Sequence, residues 1–137
     1  MKNWLWFISL LAIAVLSATV ASPQTKENET AEIWGGPDVQ MALSADGATL
    51  EFDCAHGVIQ QAVKPNAKGE FSAAGTYTPE RGGPIMRDNP PRDLAAVYKG
   101  TIQGDTMQLE AVISDKDRQP QPFTLTRGQP GRVRKCR

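Results

Sequence analysis

ATLEFDC at residues 48–54 alternates apolar and polar side chains: Leu50, Phe52 and Cys54 fall on one face, Thr49, Glu51 and Asp53 on the other. A period of two belongs to a β-strand with one buried side. The pattern returns in TMQLEAVI (106–113), which groups Met107, Leu109, Ala111 and Ile113. It returns again in EFSAAGTY (70–77), which groups Phe71, Ala73, Gly75 and Tyr77. Past the N-terminal segment no window carries a 3.6-residue apolar stripe, so the domain reads as all-β.

The breaks between these runs are turn chemistry: Asp46-Gly47, His56-Gly57, Asn66 to Gly69, and Gly104-Asp105. Short breaks of this kind join neighbouring strands as hairpins. The spacing predicts about eight strands, at 38–44, 47–54, 57–63, 69–77, 94–103, 105–114, 121–127 and 132–136. An open sheet of that size leaves an apolar face wet and two edges unpaired. The expected fold is therefore a small antiparallel up-and-down barrel, with a two-sheet β-sandwich as the alternative. The expected core is Val39, Met41, Leu43, Leu50, Phe52, Ile59, Phe71, Tyr77, Val97, Ile102, Met107, Leu109, Ile113, Phe123 and Leu125.

The N-terminus has a different character. One lysine, Lys2, precedes an apolar run from Trp4 to Leu16 broken only by Ser9, and small residues Thr19 and Ala21 follow. This is the pattern of a hydrophobic signal helix spanning residues 1–21, cleaved after Ala21. The alternative is an uncleaved membrane anchor, for which Trp4 to Ala21 is just long enough. Residues 22–32 contain no large hydrophobe and read as a polar linker. A single β-barrel-like domain then fills 33–137. The expected location is secreted or periplasmic, with the membrane touched only through an uncleaved segment.

Charge excludes one class of partner. Fifteen basic residues balance fifteen acidic ones, whereas a nucleic-acid binder needs a cationic excess. The charges are also segregated. From Lys26 to Asp53 there are seven acids and one base; from Arg118 to Arg137 there are six bases and no acid. Closing the barrel would set the two stretches against each other. Arg127, Arg132, Arg134, Lys135 and Arg137 form the candidate basic patch, which would alternatively meet anionic envelope polymer or lipid headgroups.

The two cysteines, Cys54 and Cys136, are expected to pair in an exported chain. Cys54 with His56, two residues away, is the alternative reading as a nucleophile and base. His56 is the only histidine, and no nucleophile elbow, phosphate loop or dinucleotide fingerprint is present. The sequence therefore supplies no catalytic residue, no metal site and no cofactor. Enzymatic activity, a hydrolase built on surface carboxylates such as Glu51, Asp53 and Glu110, is the second alternative function.

Two groups of residues are candidates for binding. TPERGGPIMRDNPPRD (78–93) is the longest irregular stretch, with four prolines, three arginines and an apolar centre. Arg81, Ile85, Met86, Arg87 and Arg92 are its candidate contact residues, on a lid at a barrel mouth. In the competing reading the stretch is a rigid crossover whose Ile85 and Met86 cap the core. Trp34, Tyr77 and Tyr98 are candidates to line a cavity or mouth, with Trp34 plugging one end. The expected function is a non-catalytic binding or interaction module of the cell envelope, acting as a monomer on a small ligand or an envelope protein.

FDCAHG (52–57) resembles the aromatic-x-Cys-x-x-Gly of exported bacterial inhibitors of C-type lysozyme, which are also small barrels with a late cysteine. SAAGTY (72–77) is distantly similar to their Ser/Gly-rich inhibitory loop. Ala74 stands where that loop has its second Ser, Tyr77 comes one residue early, and the later Trp-x-Lys-Gly element is missing. The resemblance covers under half of the chain. It implies, as the first alternative function, a proteinaceous inhibitor of a cell-wall hydrolase such as lysozyme.

Overall fold

A computed structural model describes residues 30–136. The segment read as a signal, 1–21, most of the 22–32 stretch and Arg137 lie outside the described residues. Eight strands form: β1 (Glu32–Gly36), β2 (Val39–Leu43), β3 (Ala48–Phe52), β4 (Ala55–Ile59), β5 (Glu70–Pro79), β6 (Leu94–Gln103), β7 (Thr106–Ile113) and β8 (Gln121–Arg127). Each pairs antiparallel with the next, and β8 pairs with β1, so the sheet is a closed barrel. The closing seam is short, registering only Trp34 with Arg127 and Gly35 with Thr126.

The strand count agrees with the alternation, but one member differs. Residues 132–136 are not a strand; β1 takes that place. Its first residue, Glu32, is the last of the stretch read as linker. The glycines of Trp34-Gly35-Gly36 hide β1 from a pattern reading, because glycine is depleted in strands. Here they are required: a Cβ at Gly35 would strike Gln129, Pro130 and Gly131, and one at Gly36 would strike Thr124. The tail runs over the outside of β1 instead of joining the sheet, touching it through a single parallel bridge, Pro37 to Arg132. Arg132 N–H donates to Gly36 O, and Asp38 N–H donates to Arg132 O, both at 3.0 Å.

The β3–β4 turn also falls earlier than the His56-Gly57 signal suggests. It sits at Asp53-Cys54, where Cys54 adopts φ 56° and supplies the left-handed residue itself. Gly57 lies inside β4 for a packing reason. An added Cβ there would collide with the Tyr98 hydroxyl, and one at Gly75 would come within 3.1 Å of the same ring. Tyr98 thus fills the barrel interior across two glycines.

That ring also decides the facing of β6. Ala96 and Tyr98 are buried, whereas Val97, expected in the core, points outward at 36% exposure. Of the remaining expected core residues, Leu43, Ile102 and Phe123 are partly buried against the cluster and the others are buried. The interior is solid: Val39, Met41, Leu50, Tyr98, Met107 and Leu125 have no exposed surface.

The barrel has two unlike ends. One carries the short turns at 44–47 and 104–105 and the longer 60–69 connection. The other carries the turns at 37–38 and 53–54, the long loop 80–93 and the 114–120 connection. The tail arrives at this second end, where Cys54 and Cys136 form a disulfide with Cα atoms 4.9 Å apart. Such a bond is consistent with an oxidising compartment.

Candidate functional site

The long loop follows from its composition. β5 runs through Pro79, beyond which Gly82, Gly83 and Pro84 interrupt strand pairing until Leu94 resumes it in β6. Gly83 takes φ 97°, which favours glycine. At the tip, Asn89 N–H donates to Met86 O at 3.1 Å and closes a turn over 86–89. The feet are anchored. Glu80 N–H donates to Cys54 O at 2.7 Å. The Thr78 hydroxyl, on a buried residue, donates to Asp93 Oδ1 at 2.5 Å.

Beneath the loop the barrel mouth is plugged. Tyr77 is buried there, 5.5 Å between ring centroids from Phe52, which also packs against Phe123 at 5.2 Å. Arg118, from the β7–β8 connection, lies 5.4 Å over the Tyr77 ring and pairs with Asp115 at 3.4 Å. Between this floor and the loop is a cleft of about 690 Å³, walled by the loop together with Asp53, Tyr77, Leu94, Asp115 and Arg118. Ile85 and Met86, both lining it, are 77% and 68% exposed. They do not cap the core, as the crossover reading of the loop would have them.

A charged network braces one side. His56 Nδ1 donates to Glu80 Oε1 at 3.0 Å, and Lys135 reaches both Glu80, at 3.4 Å, and Glu51. The hydrogen bond from His56, helped by the Lys135 charge, holds the Glu80 carboxyl below the ordinary glutamate range. The hydrogen bond and charge of Glu51, with Glu80 behind it, raise the Lys135 ammonium above its ordinary value. Asp53 Oδ1 accepts the Arg134 N–H at 2.7 Å. The sulfur of Cys54 is bonded to Cys136 and His56 faces Glu80, so the two are not a nucleophile and base.

The candidate residues are therefore distributed. Arg81, Ile85, Met86 and Arg92 line the cleft, while Arg87 projects from the exposed turn. Tyr77 is the floor. Tyr98 is interior; its hydroxyl donates to Thr76 O at 2.7 Å, and burial pushes its phenol pKa well above the usual value. Trp34, 1% exposed, lies toward the opposite end, covered by the Arg127 guanidinium at 4.5 Å. The candidate basic patch divides in the same way: Arg127 pairs with Glu32 and Asp105 at one end, and Arg132, Arg134 and Lys135 follow the tail to the other. The acidic and basic stretches do face each other, through the ion pairs Arg127–Glu32 and Lys135–Glu51 and through the Arg134 main-chain N–H to Asp53. Residues 72–77, which the lysozyme-inhibitor resemblance would make a loop, lie within β5 and pair with β6.

Arg118, Glu80 and the Thr78–Asp93 bond belong to this end of the molecule and were not legible as site residues. Arg118 over Tyr77 and Glu80 beside His56 and Lys135 are brought together from distant parts of the chain, and the Thr78–Asp93 bond depends on the β5–β6 pairing that brings the two feet of the loop together. A second, open groove of about 580 Å³ crosses the outside of β5 to β8, bordered by Glu70, Lys99, Gln108, Glu110 and Pro122. Among the described residues no group of three or more His, Cys, Asp or Glu side chains is arranged to hold a metal ion. Compared with known proteins, the chain matches no family model, no curated protein and no solved structure.

Proposed function

We propose that the protein is an exported, non-catalytic binding module of the cell envelope, with its contact surface at the cleft and tip of loop 80–93. One contrast carries this reading. The barrel core is packed solid, yet Ile85 and Met86 hold large apolar side chains in solvent on a loop braced by prolines and anchored at both feet. Exposed apolar side chains on an ordered loop beside a cleft are the surface of a binding site. Export rests on the segment from Trp4 to Ala21, read as a cleaved signal, and is supported by the disulfide. N-terminal sequencing of the extracytoplasmic protein tests it, with Ser22 as the expected first residue.

The binding role is tested by capture from an envelope extract on the immobilised protein and on an Ile85→Ser/Met86→Ser variant. The expected result is a component held by the wild type and lost with the variant. Equal retention by both would place the contact surface elsewhere. Retention by neither would overturn the envelope-partner reading.

A further inference from the structure

We infer that the cleft under loop 80–93 takes the carboxyl-terminal end of an apolar peptide; this deepens the binding role proposed above and rests on it. The first argument is charge. Three acids border the cleft: Glu80 is paired with Lys135 and Asp115 with Arg118, while Asp53 accepts only the main-chain N–H of Arg134. Arg81 and Arg92 also line it, one at each foot of the loop, and among the described residues no carboxylate lies within ion-pair distance of either. Two unpaired guanidiniums against one carboxylate without a cationic partner leave the cleft a cationic surplus, and a guanidinium fork is the group that grips a carboxylate bidentately.

The second argument is shape and surface. A space of about 690 Å³ is large enough to take a short chain end. Tyr77, Leu94, Ile85 and Met86 offer apolar contact along it.

The third argument separates a peptide from another apolar acid. Between Arg81 and Arg92 the main chain makes one internal hydrogen bond among the described residues, Asn89 to Met86. Three of its residues are prolines, which have no N–H, so the loop presents more carbonyl acceptors than donors. A peptide carries N–H groups that carbonyls of this loop could accept; a fatty acid carries none.

The test uses the disulfide-bonded protein and the labelled tripeptide Leu-Leu-Val as free acid and as carboxyl amide, followed by fluorescence polarisation. Decanoate serves as an unlabelled competitor. The acid is expected to bind at least about tenfold more tightly than the amide. Arg81→Gln/Arg92→Gln should remove that difference, Arg132→Gln should preserve it, and decanoate should compete poorly. Equal binding of acid and amide, or an unaffected double variant, would overturn the carboxylate assignment. Decanoate competing as well as the peptide acid would overturn the peptide. Absence of tripeptide binding, with envelope capture still dependent on Ile85 and Met86, would defeat this inference alone; loss of both would defeat the binding role with it.

Discussion

The Tyr98 hydroxyl and the Thr76 carbonyl meet at 2.7 Å inside the barrel, tying β6 back to β5 beyond their ladder. The space for that phenol is cut by Gly57 and Gly75, either of which would strike the ring if it carried a Cβ. Tyr98→Phe should cost about 1 kcal/mol from the lost bond. Gly57→Ala should cost about 1–3 kcal/mol through overpacking. In the double variant the alanine methyl has no hydroxyl to displace, so the combined loss should fall below the sum of the single losses. Urea unfolding of the four proteins measures the coupling. Strict additivity would mean that Gly57 is required for some reason other than Tyr98.

Cys54 and Cys136 lie 82 residues apart in sequence, so their bridge closes most of the folded chain. Loop-closure entropy for a span of that length amounts to about 4–5 kcal/mol, a large share of the stability of a small domain. Cys54→Ser/Cys136→Ser should lower the urea midpoint accordingly. The loss should begin locally. The Cys54 N–H donates to Arg134 O, and the Asp38 N–H to Arg132 O, so both amides should exchange with solvent faster once the tail is untied. Exchange that remains slow at these two positions would show that the tail is held by its own contacts on β1.

Legibility in the sequence followed from where one side chain alone decides a position. In β3 the apolar residues occupy one parity only, and in β7 all but Val112 do, so their faces and partners could be read directly. In LAAVYKG (94–100) both parities carry apolar residues, and the choice of Tyr98 over Val97 as the inward one depends on glycines of two other strands. Arg132-Val133-Arg134 alternates like a strand yet lies outside the sheet, because Gly35 and Gly131 let it pack flat against β1 and β2. The loop 78–93 was visible by its prolines and length. Its floor, Arg118 over Tyr77, was not, since that contact joins β5 to the β7–β8 connection, far apart in sequence and met only in the folded strand order.

Stability should respond to pH at both limits through the network around the disulfide. A carboxyl with a lowered folded-state pKa adds stability above its unfolded value and loses it as pH falls through the folded one. Glu80, lowered from 4.5 by His56 and then Lys135, therefore contributes at neutral pH and stops contributing in acid. Lys135, raised from 10.5 chiefly by Glu51, contributes below that value and stops as pH climbs past its folded pKa. Both groups are partly exposed, which limits each contribution to about 1 kcal/mol or less. Glu80→Gln should flatten the acid limb of a stability–pH curve below pH 4.5. The alkaline limb should persist through Glu51. An unchanged acid limb would show that the network carries no net stability.

Arg127 closes the barrel at the end away from the cleft. Its guanidinium lies 4.5 Å over the Trp34 ring, pairs with Glu32 and Asp105, and donates to Gly104 O at 3.3 Å. It thereby links β1, β8 and the β6–β7 turn at a seam that has only two registered residue pairs. Arg127→Ala should uncover the indole and cost about 1–2 kcal/mol, since the cation–π contact and the ion pairs are lost together. Arg127→Lys keeps the charge without the flat fork and should recover only part of this. Trp4 and Trp6 belong to the N-terminal apolar segment, so once that is removed Trp34 is the sole tryptophan and can be excited apart from Tyr77 and Tyr98. A red shift of its fluorescence in Arg127→Ala, smaller in Arg127→Lys, is the expected sign of an opened seam. Emission that stays blue in both would assign the burial of Trp34 to its own strand packing, with Arg127 a spectator at the rim.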